Sequence, residues 1–330
     1  MLGEVYSIVR FLDYSAEIMN RSAKTSESIP IQTIVIISIT WAIVALFFYM
    51  LFGVRAEGEA RPLWYSICTY IFENVGYMAA SLLCFRNWQS RQMVSGRRVW
   101  LLLGLAMFFF FVGNLFFGIG ELVFQLDADV SLGDIFYIPC YGFLAWGMIL
   151  AVIPRRLNME LWQWAVLGAV AMVGIVVTYG LVTYADNTAE LMLATNPVAL
   201  DGTESDITNA PAWALSLNAM LLPFANVVSQ IYIVGDVALL IAASTLLLAF
   251  WGGRFAQSWR MIAAAMFCFY ISDMWYYYAV NTNPDYQSGE LLEVGWVFSA
   301  VLVAIGAALE YDISTKSRRG SGSRRRGGAS

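Results

Sequence analysis

Acidic and aromatic residues within otherwise apolar segments are the feature of this sequence that could support chemistry. Glu73, Asp236 and Asp273 lie inside long apolar stretches, and Asp134 and Glu293 lie near the ends of such stretches. An ionisable side chain in a spanning helix costs roughly 2.5 to 3.5 kcal/mol on insertion scales, so it indicates a functional site by default. We predict a ligand site in which these carboxyl groups are joined by an amide and three aromatic side chains, Asn114, Tyr137, Trp275 and Trp296.

The charge state of these carboxyl groups narrows the choice of ligand. No Lys or Arg lies at a comparable depth within the predicted membrane spans, and the chain contains no His. The carboxyl groups are therefore protonated, satisfied by Tyr, Trp and Asn donors, or paired with a bound cation or amine. A carboxylate among aromatic rings suits a cationic or amphipathic ligand. Two structural explanations remain open: the aromatic residues belong to the membrane interfaces, or the carboxyl groups hydrogen-bond helices to one another.

Missing residue types exclude several chemistries. The absence of His disfavours ligation of haem or chlorophyll by imidazole, His-based zinc or copper sites, and acid–base catalysis by His. Lys24 and Lys316 both lie outside the apolar segments, so a retinal Schiff base is disfavoured as well. The sequence has no phosphate-binding glycine loop and no Gly-x-Ser-x-Gly elbow in a suitable context. We expect a protein that is not an enzyme, and the residues indicate no particular cofactor and no metal.

The elements that must position these residues are membrane-spanning helices. The chain has 330 residues, of which 59% are hydrophobic and only 13% are charged, and this is too apolar for a soluble domain. A spanning helix needs about 20 mostly apolar residues, which predicts an all-α integral membrane protein with about eight transmembrane helices. The predicted spans are 30–53, 63–85, 99–125, 133–153, 160–184, 228–252, 258–280 and 289–311.

The termini and one long connection complete the predicted organisation. Residues 1–29 alternate polar and apolar positions with a helical period, which predicts a cytoplasmic or interfacial amphipathic helix or a helix that caps the bundle. The connection 185–226 is either a solvated loop with a short helix or a ligand lid. Residues 314–330 form a predicted disordered basic tail, which contacts anionic lipid or serves only as an orientation signal. Its basic residues are Lys316, Arg318, Arg319, Arg324, Arg325 and Arg326.

Basic residues also predict the orientation, because cytoplasmic loops carry an excess of Lys and Arg. Alternate connections hold only Arg55 and Arg61 and are otherwise acidic. The remaining connections and both termini hold the other basic residues, among them Arg86, Arg91, Arg97, Arg98, Arg155, Arg156, Arg254 and Arg260. We therefore predict a multi-pass protein of the inner (plasma) membrane with both termini in the cytoplasm.

Internal repetition divides the predicted bundle into halves. An ungapped shift of 159 residues aligns Trp100 with Trp259 and Asn114 with Asp273, and a small gap also aligns Glu73 with Asp236. Because each half has an even number of spans, the two four-helix repeats, 30–153 and 154–313, share one orientation about an axis along the membrane normal. Chance similarity between apolar helices is the alternative. The same shift also aligns Phe110 with Phe269, Asp134 with Glu293, Tyr137 with Trp296 and Gly147 with Gly306.

Two short motifs carry a resemblance to a known family. The sequence Ser-Leu-Gly-Asp-Ile-Phe-Tyr at 131–137 enters a predicted helix, and Gly-Trp at 295–296 opens a helix of small residues. With the spacing of Trp, Asp and Tyr around them, these motifs resemble the multi-helix membrane input regions of some bacterial diguanylate cyclases over about 60–312. The resemblance implies a sensory role. Since no catalytic domain follows the last predicted helix, the output would need a separate cytoplasmic protein.

Three classes of function are compatible with the sequence. A sensory or regulatory module would bind a small molecule or lipid in an acidic and aromatic pocket in the outer half of the membrane. A proton- or cation-coupled transporter would use the repeated halves, although helix-breaking prolines are scarce within the spans, Pro139 being the main case. An accessory subunit would face neighbours in a membrane complex. The expected partners are membrane lipids and such proteins, and we expect no nucleic acid.

Overall fold

Helices make up nearly all of the described chain. The computed structural model describes residues 30–55, 59–91, 93–124, 126, 130–153, 160–195, 210–249, 256–283 and 286–326, and no strand occurs among them. The predicted amphipathic helix at 1–29 lies outside these residues. The α-helices are α1 (Ile31–Phe52), α2 (Leu63–Gln89), α3 (Arg97–Val123), α4 (Asp134–Val152), α5 (Leu161–Thr195), α6 (Ala212–Leu221), α7 (Ala225–Ala249), α8 (Ala256–Thr282) and α9 (Val294–Arg326). Short 3-10 helices at Leu222–Phe224 and Leu291–Glu293 precede α7 and α9.

Seven segments of the described chain are long and apolar enough to cross a membrane. These segments are Ile31–Phe52, Leu63–Gln89, Arg97–Val123, Asp134–Val152, Leu161–Thr188, Ala212–Ala249 and Leu291–Thr315. The prediction of an all-α protein is therefore confirmed for the described chain, and the seven segments are compatible with a multi-pass membrane protein. Helix α8 coincides with the predicted span 258–280 but is not among the seven, because Ser272, Asp273 and several tyrosines lower its hydropathy.

Proline marks the start of three helices. Pro30, Pro62 and Pro211 each precede the first helical residue with an extended backbone, and each has a fixed φ suited to a helix entry. Their carbonyl oxygens accept the first helical N–H groups, as in the 2.9 Å hydrogen bond from the Tyr65 amide to the Pro62 carbonyl. These residues therefore fix where α1, α2 and α6 begin.

Six helices close into a ring. The neighbours around it are α2, α3, α4, α7, α8 and α9, and α9 returns to pack on α2. Helix α1 packs mainly on α9, and α5 packs on α7 and α8. The ring therefore has an enclosed interior that can hold a core and a cavity, with α1 and α5 outside it.

Aromatic pairs fill the interior of the ring between α3 and α8. The ring centroids of Trp100 and Trp259 are 6.1 Å apart, and those of Phe110 and Phe269 are 5.3 Å apart. Both tryptophans are fully buried. Trp100 precedes Phe110 in α3, and their partners Trp259 and Phe269 follow the same order in α8. The two helices therefore run in the same direction.

Three helix boundaries differ from the prediction. Helix α5 continues to Thr195, beyond the predicted end at 184, since Ala, Leu, Met and Glu in its last turns are good helix formers. Within the connection 185–226, helix α6 occupies Ala212–Leu221, and residues 196–209 are not described. Helix α9 extends to Arg326, whereas we predicted a disordered tail from 314.

Candidate functional site

A cavity of about 320 Å³ lies inside the ring, at the end where 53–62, 124–133 and 283–293 connect the helices, hereafter the cavity end. It extends from the Phe110 and Phe269 pair to Ser288 and Gly289. Eight of the predicted site residues line it: Glu73, Asn114, Asp134, Tyr137, Asp236, Asp273, Glu293 and Trp296. The structure therefore brings together residues from six α-helices, and from the 3-10 helix that holds Glu293, which are far apart in the sequence.

Trp275 does not line this cavity. Its indole N–H donates a 3.0 Å hydrogen bond to Glu290 in the connection before α9. The predicted lipid-contact residues from Lys316 to Arg326 lie at the opposite end of α9, and their side chains are outside the described residues.

The first carboxyl cluster is centred on Glu73 of α2, which is buried. Its two carboxyl oxygens each accept a hydrogen bond, from the Tyr49 hydroxyl at 3.0 Å and from the Asn114 amide at 2.7 Å. The Tyr137 hydroxyl in turn donates to the Asn114 carbonyl oxygen at 2.6 Å. Helices α1 to α4 each supply one member, so Glu73 has a donor for each oxygen.

The second carboxyl cluster joins Asp236 of α7 and Asp273 of α8. The Tyr141 hydroxyl lies 2.7 Å from Oδ1 of Asp236 and 2.5 Å from Oδ2 of Asp273. The Trp296 indole N–H donates to Oδ1 of Asp273 at 2.6 Å. Oδ2 of Asp236 has no hydrogen-bond donor within the described chain, although this side chain is only 1% exposed. This cluster therefore has an unfilled acceptor.

Two further carboxyl groups close the cavity end. Asp134 begins α4, accepts the Ser131 amide at 2.6 Å and accepts the Tyr232 hydroxyl. A carboxylate at this position also suits the N-terminal end of the helix dipole. Glu293 accepts the Gly289 amide at 2.6 Å and the Tyr286 hydroxyl at 2.5 Å. Both groups are held by the connections that lead into α4 and α9.

The connection 286–290 depends on one unusual backbone conformation. Gly289 has a φ of +105°, which disfavours other residues, and its carbonyl accepts the Tyr65 hydroxyl at 2.6 Å. Burial, followed by the nearby Glu293 carboxyl, raises the pKa of the Tyr286 hydroxyl well above its usual value. Tyr286 therefore remains a hydrogen-bond donor at physiological pH.

The electrostatic character of the cavity is acidic. Six carboxyl groups line it, since Asp186 joins the five predicted ones, and no Lys or Arg of the described chain does so. Arg61 lies outside the lining, where it donates to the Gln287 carbonyl at 3.1 Å and lies 3.9 Å from Glu290. Aromatic rings of Phe110, Phe269 and Tyr276 form much of the remaining wall.

Tyr141 was not among the predicted site residues, although it connects the two aspartates. It lies four residues after Tyr137 and therefore on the same face of α4, which is the signal that could have indicated it. Tyr49 and Tyr232 were missed in the same way, because they donate to carboxyl groups on other helices. The sequence does not indicate such pairings.

Equivalent contacts occur at positions related by the 159-residue shift. The hydrogen bond from Tyr137 to Asn114 and the one from Trp296 to Asp273 are each 2.6 Å long. A Cβ atom on Gly306 would lie within 3.0 Å of Ile262, and the matching Gly147 faces Leu103. The second half therefore has a carboxyl group where the first half has an amide.

Fold and site together define an all-helical protein with seven apolar helices that could span a membrane and an acidic, aromatic cavity. Comparison with protein-family models, curated proteins and solved structures gives no match. The resemblance to diguanylate cyclase input regions therefore stays a prediction. The described residues contain no group of three or more His, Cys, Asp or Glu arranged to hold a metal ion.

Proposed function

We propose that this protein is a membrane sensory or regulatory module that binds a small organic cation in the cavity. The observation that carries this proposal is the lining, in which six carboxyl groups occur among aromatic rings without a basic side chain from the described chain. A positive ligand gains both charge pairing with the carboxylates and cation–π attraction to the rings. Neutral ligands gain neither, so the cavity selects for charge.

The proposed topology has eight spans, the seven apolar segments together with α8. Helix α8 lies in the ring between α7 and α9, and its Asp273, Tyr276, Tyr277 and Asn281 all line the cavity. Polar residues in a spanning helix are tolerated when they face a bundle interior. With eight spans, both termini lie in the cytoplasm and the cavity end faces outward.

The proposed parallel repeats are supported by the packing of the ring. The contacts of α2 with α3, α3 with α4, and α4 with α7 match those of α7 with α8, α8 with α9, and α9 with α2. Repeat-related aromatic residues also meet one another in the centre. A twofold axis along the membrane normal produces both patterns, because residues next to such an axis contact their own counterparts. The cavity lies between the two halves.

Helix α9 is the element that would carry a signal. Glu293 and Trp296 reach the cavity at its start. Farther along, the Ala307 carbonyl accepts the Asn87 amide at 2.8 Å, and Glu310 accepts the Ser95 hydroxyl at 2.7 Å. A shift of α9 on ligand binding would thus move the connection between α2 and α3 and present a changed surface to a cytoplasmic partner.

Binding of a charged probe and its neutral counterpart tests this proposal. We would titrate the purified full chain in mild detergent with 2-phenylethylammonium and with 2-phenylethanol, which lacks the positive charge. We expect only the ammonium compound to bind, and the double variant Asp236→Asn/Asp273→Asn to lose about tenfold or more in affinity. Glu160→Gln, at an exposed carboxyl before α5, is the matched control. Equal affinity for the amine and the alcohol would contradict the proposal.

A transporter is the second candidate, favoured by the position of the cavity between two repeat-like halves. In that case the bound cation would cross the membrane. Uptake of the labelled amine into vesicles containing the reconstituted protein, driven by a proton gradient, would favour this function. Binding without uptake would favour the sensory module.

A further inference from the structure

Hydrogen-bond stoichiometry at Tyr141 indicates a bound proton. The hydroxyl lies within hydrogen-bond distance of both Asp236 and Asp273, at 2.7 and 2.5 Å. A phenol has a single hydrogen to donate, so it can satisfy only one carboxylate. The other contact, like the direct hydrogen bond between the two carboxyl groups, is favourable only when one of these groups carries a proton and donates it. Three groups on α4, α7 and α8 therefore share a proton beyond that of the phenol.

The surroundings of the two aspartates supply no other positive charge. Burying two adjacent carboxylates without a counter-charge is costly, and the cost falls when the pair retains one proton. The titratable groups that line the cavity with the pair, or interact electrostatically with it, include no basic group of the described chain. They are Tyr70, Tyr77 and Glu73 of α2, Asp134, Tyr137 and Cys140 of α4, Asp186 of α5, Tyr232 of α7, Tyr270, Tyr276 and Tyr277 of α8, and Glu293, which directly precedes α9.

The unfilled acceptor indicates what replaces the proton. Asp236 lines the cavity, and its Oδ2 has no N–H or O–H donor from the described residues. A primary ammonium group has three N–H donors and a full positive charge, so it can donate to this oxygen and neutralise the second carboxylate. A quaternary ammonium has the charge but no N–H group, and it would leave the oxygen unfilled.

We propose that Asp236, Tyr141 and Asp273 hold a shared proton when no cation is bound, and that a protonated primary amine displaces it. This inference rests on the proposed cation-binding function and specifies its ligand class. In the exchange, the amine enters with its positive charge, both aspartates become carboxylates, and the displaced proton leaves to water. The total charge of the site is unchanged.

The first carboxyl cluster provides an internal comparison. Glu73 has a donor for each oxygen, from Tyr49 and Asn114, so it needs no proton to satisfy its contacts. Asn114 stands at the position that corresponds to Asp273. The proton exchange is therefore specific to the second half of the molecule.

Calorimetry of the full chain in mild detergent tests this exchange. Titration with 2-phenylethylammonium in buffers of different ionisation enthalpy reports the protons released per bound amine, and we expect about one. Affinity should rise by about tenfold per pH unit while the site holds its proton. Asp236→Asn should abolish the release and weaken binding by about tenfold or more. Glu160→Gln should behave as the wild type.

Each other outcome is decisive. Amine binding without proton release would overturn the exchange and leave the cation-binding function intact, whereas no binding at any pH would overturn both. A quaternary probe, 2-phenylethyltrimethylammonium, should bind at least about tenfold more weakly, and equal affinity would overturn the role of the unfilled acceptor. If Asp236→Asn does not fold, infrared difference spectra of the wild type still decide. The protonated carboxyl band should disappear on amine addition, and its persistence would overturn the proposal.

Discussion

Each of the five predicted carboxyl groups that line the cavity has a tyrosine hydroxyl as a hydrogen-bond partner. Tyr49 donates to Glu73, Tyr232 to Asp134 and Tyr286 to Glu293, and the Tyr141 hydroxyl lies within hydrogen-bond distance of both aspartates. A phenol places a donor inside an apolar bundle without adding charge, since its ring packs as a hydrophobic group. The carboxyl groups thereby gain partners while the cavity remains without positive charge from the described chain, and this leaves it suited to a cation.

The Tyr286 hydroxyl should contribute to stability through its hydrogen bond to Glu293. Tyr286→Phe keeps the ring, which packs edge-on against Tyr276, and removes only the donor to a buried carboxyl group. We expect a loss of about 1–3 kcal/mol in the free energy of unfolding, seen as a lower melting temperature in detergent. Tyr179→Phe, where the side chain is 73% exposed, is the control and should change little. Equal shifts in the two variants would contradict a structural role for this bond.

Asn114→Asp should make stability depend on pH. The change places a second carboxyl group beside Glu73, in the arrangement that the other half has at Asp273. Because no basic residue of the described chain lines the cavity, the new pair is stable only while it retains a proton. The folded state then binds more protons than the unfolded state, so stability falls as pH rises. Melting temperatures of the variant and wild type should diverge with increasing pH, and Asn218→Asp in α6 should not reproduce this divergence.

At the scale of elements, helix positions were predictable and helix partners were not. The predicted spans 63–85 and 133–153 agree with α2 and α4 within a few residues, since the length of an apolar stretch is set by membrane thickness. The span 258–280, which corresponds to α8, was also predicted, although α8 has lower hydropathy than the seven apolar segments. The order in which the helices follow one another around the ring has no such signal in the sequence, because one apolar helix face resembles another. The predicted repeat pairs Asp134 with Glu293 and Glu73 with Asp236, and all four residues line one cavity.

Helix α8 and the start of α9 approach each other closely at Gly295. A Cβ atom on Gly295 would lie 2.3 Å from the Ser272 hydroxyl oxygen and 3.0 Å from the Cys268 carbonyl. Gly295→Ala should therefore separate the helices and lower the free energy of unfolding by about 1–3 kcal/mol. It should also displace Trp296 and weaken amine binding. Gly168→Ala, where no atom lies within 4 Å of the added methyl group, should be neutral or slightly stabilising. Similar melting temperatures in both variants would contradict close packing at this contact.

At the scale of the whole molecule, the interior of the ring has an apolar core at one end of its axis and a polar cavity at the other. Trp100, Trp259, Met148 and Leu246 fill the interior at one end, and all are fully buried. The carboxyl groups gather at the cavity end. Because the cavity lies at this end of the ring, the side of the membrane that the cavity end faces decides whether the protein responds to external or internal molecules.

The topology can be tested by labelling single cysteines in intact cells. Each reporter would be added to a protein whose four native cysteines are replaced by alanine. With eight spans and both termini cytoplasmic, Glu59→Cys should react with a membrane-impermeant maleimide from outside, because it lies at the cavity end. Glu160→Cys and a cysteine added after Ser330 should react only after permeabilisation. If α8 did not cross the membrane, the added C-terminal cysteine would instead label from outside together with Glu59→Cys. Labelling of Glu160→Cys and of the added C-terminal cysteine, but not of Glu59→Cys, would reverse the orientation. The cavity would then open to the cytoplasm, and the amine would have to be an intracellular one.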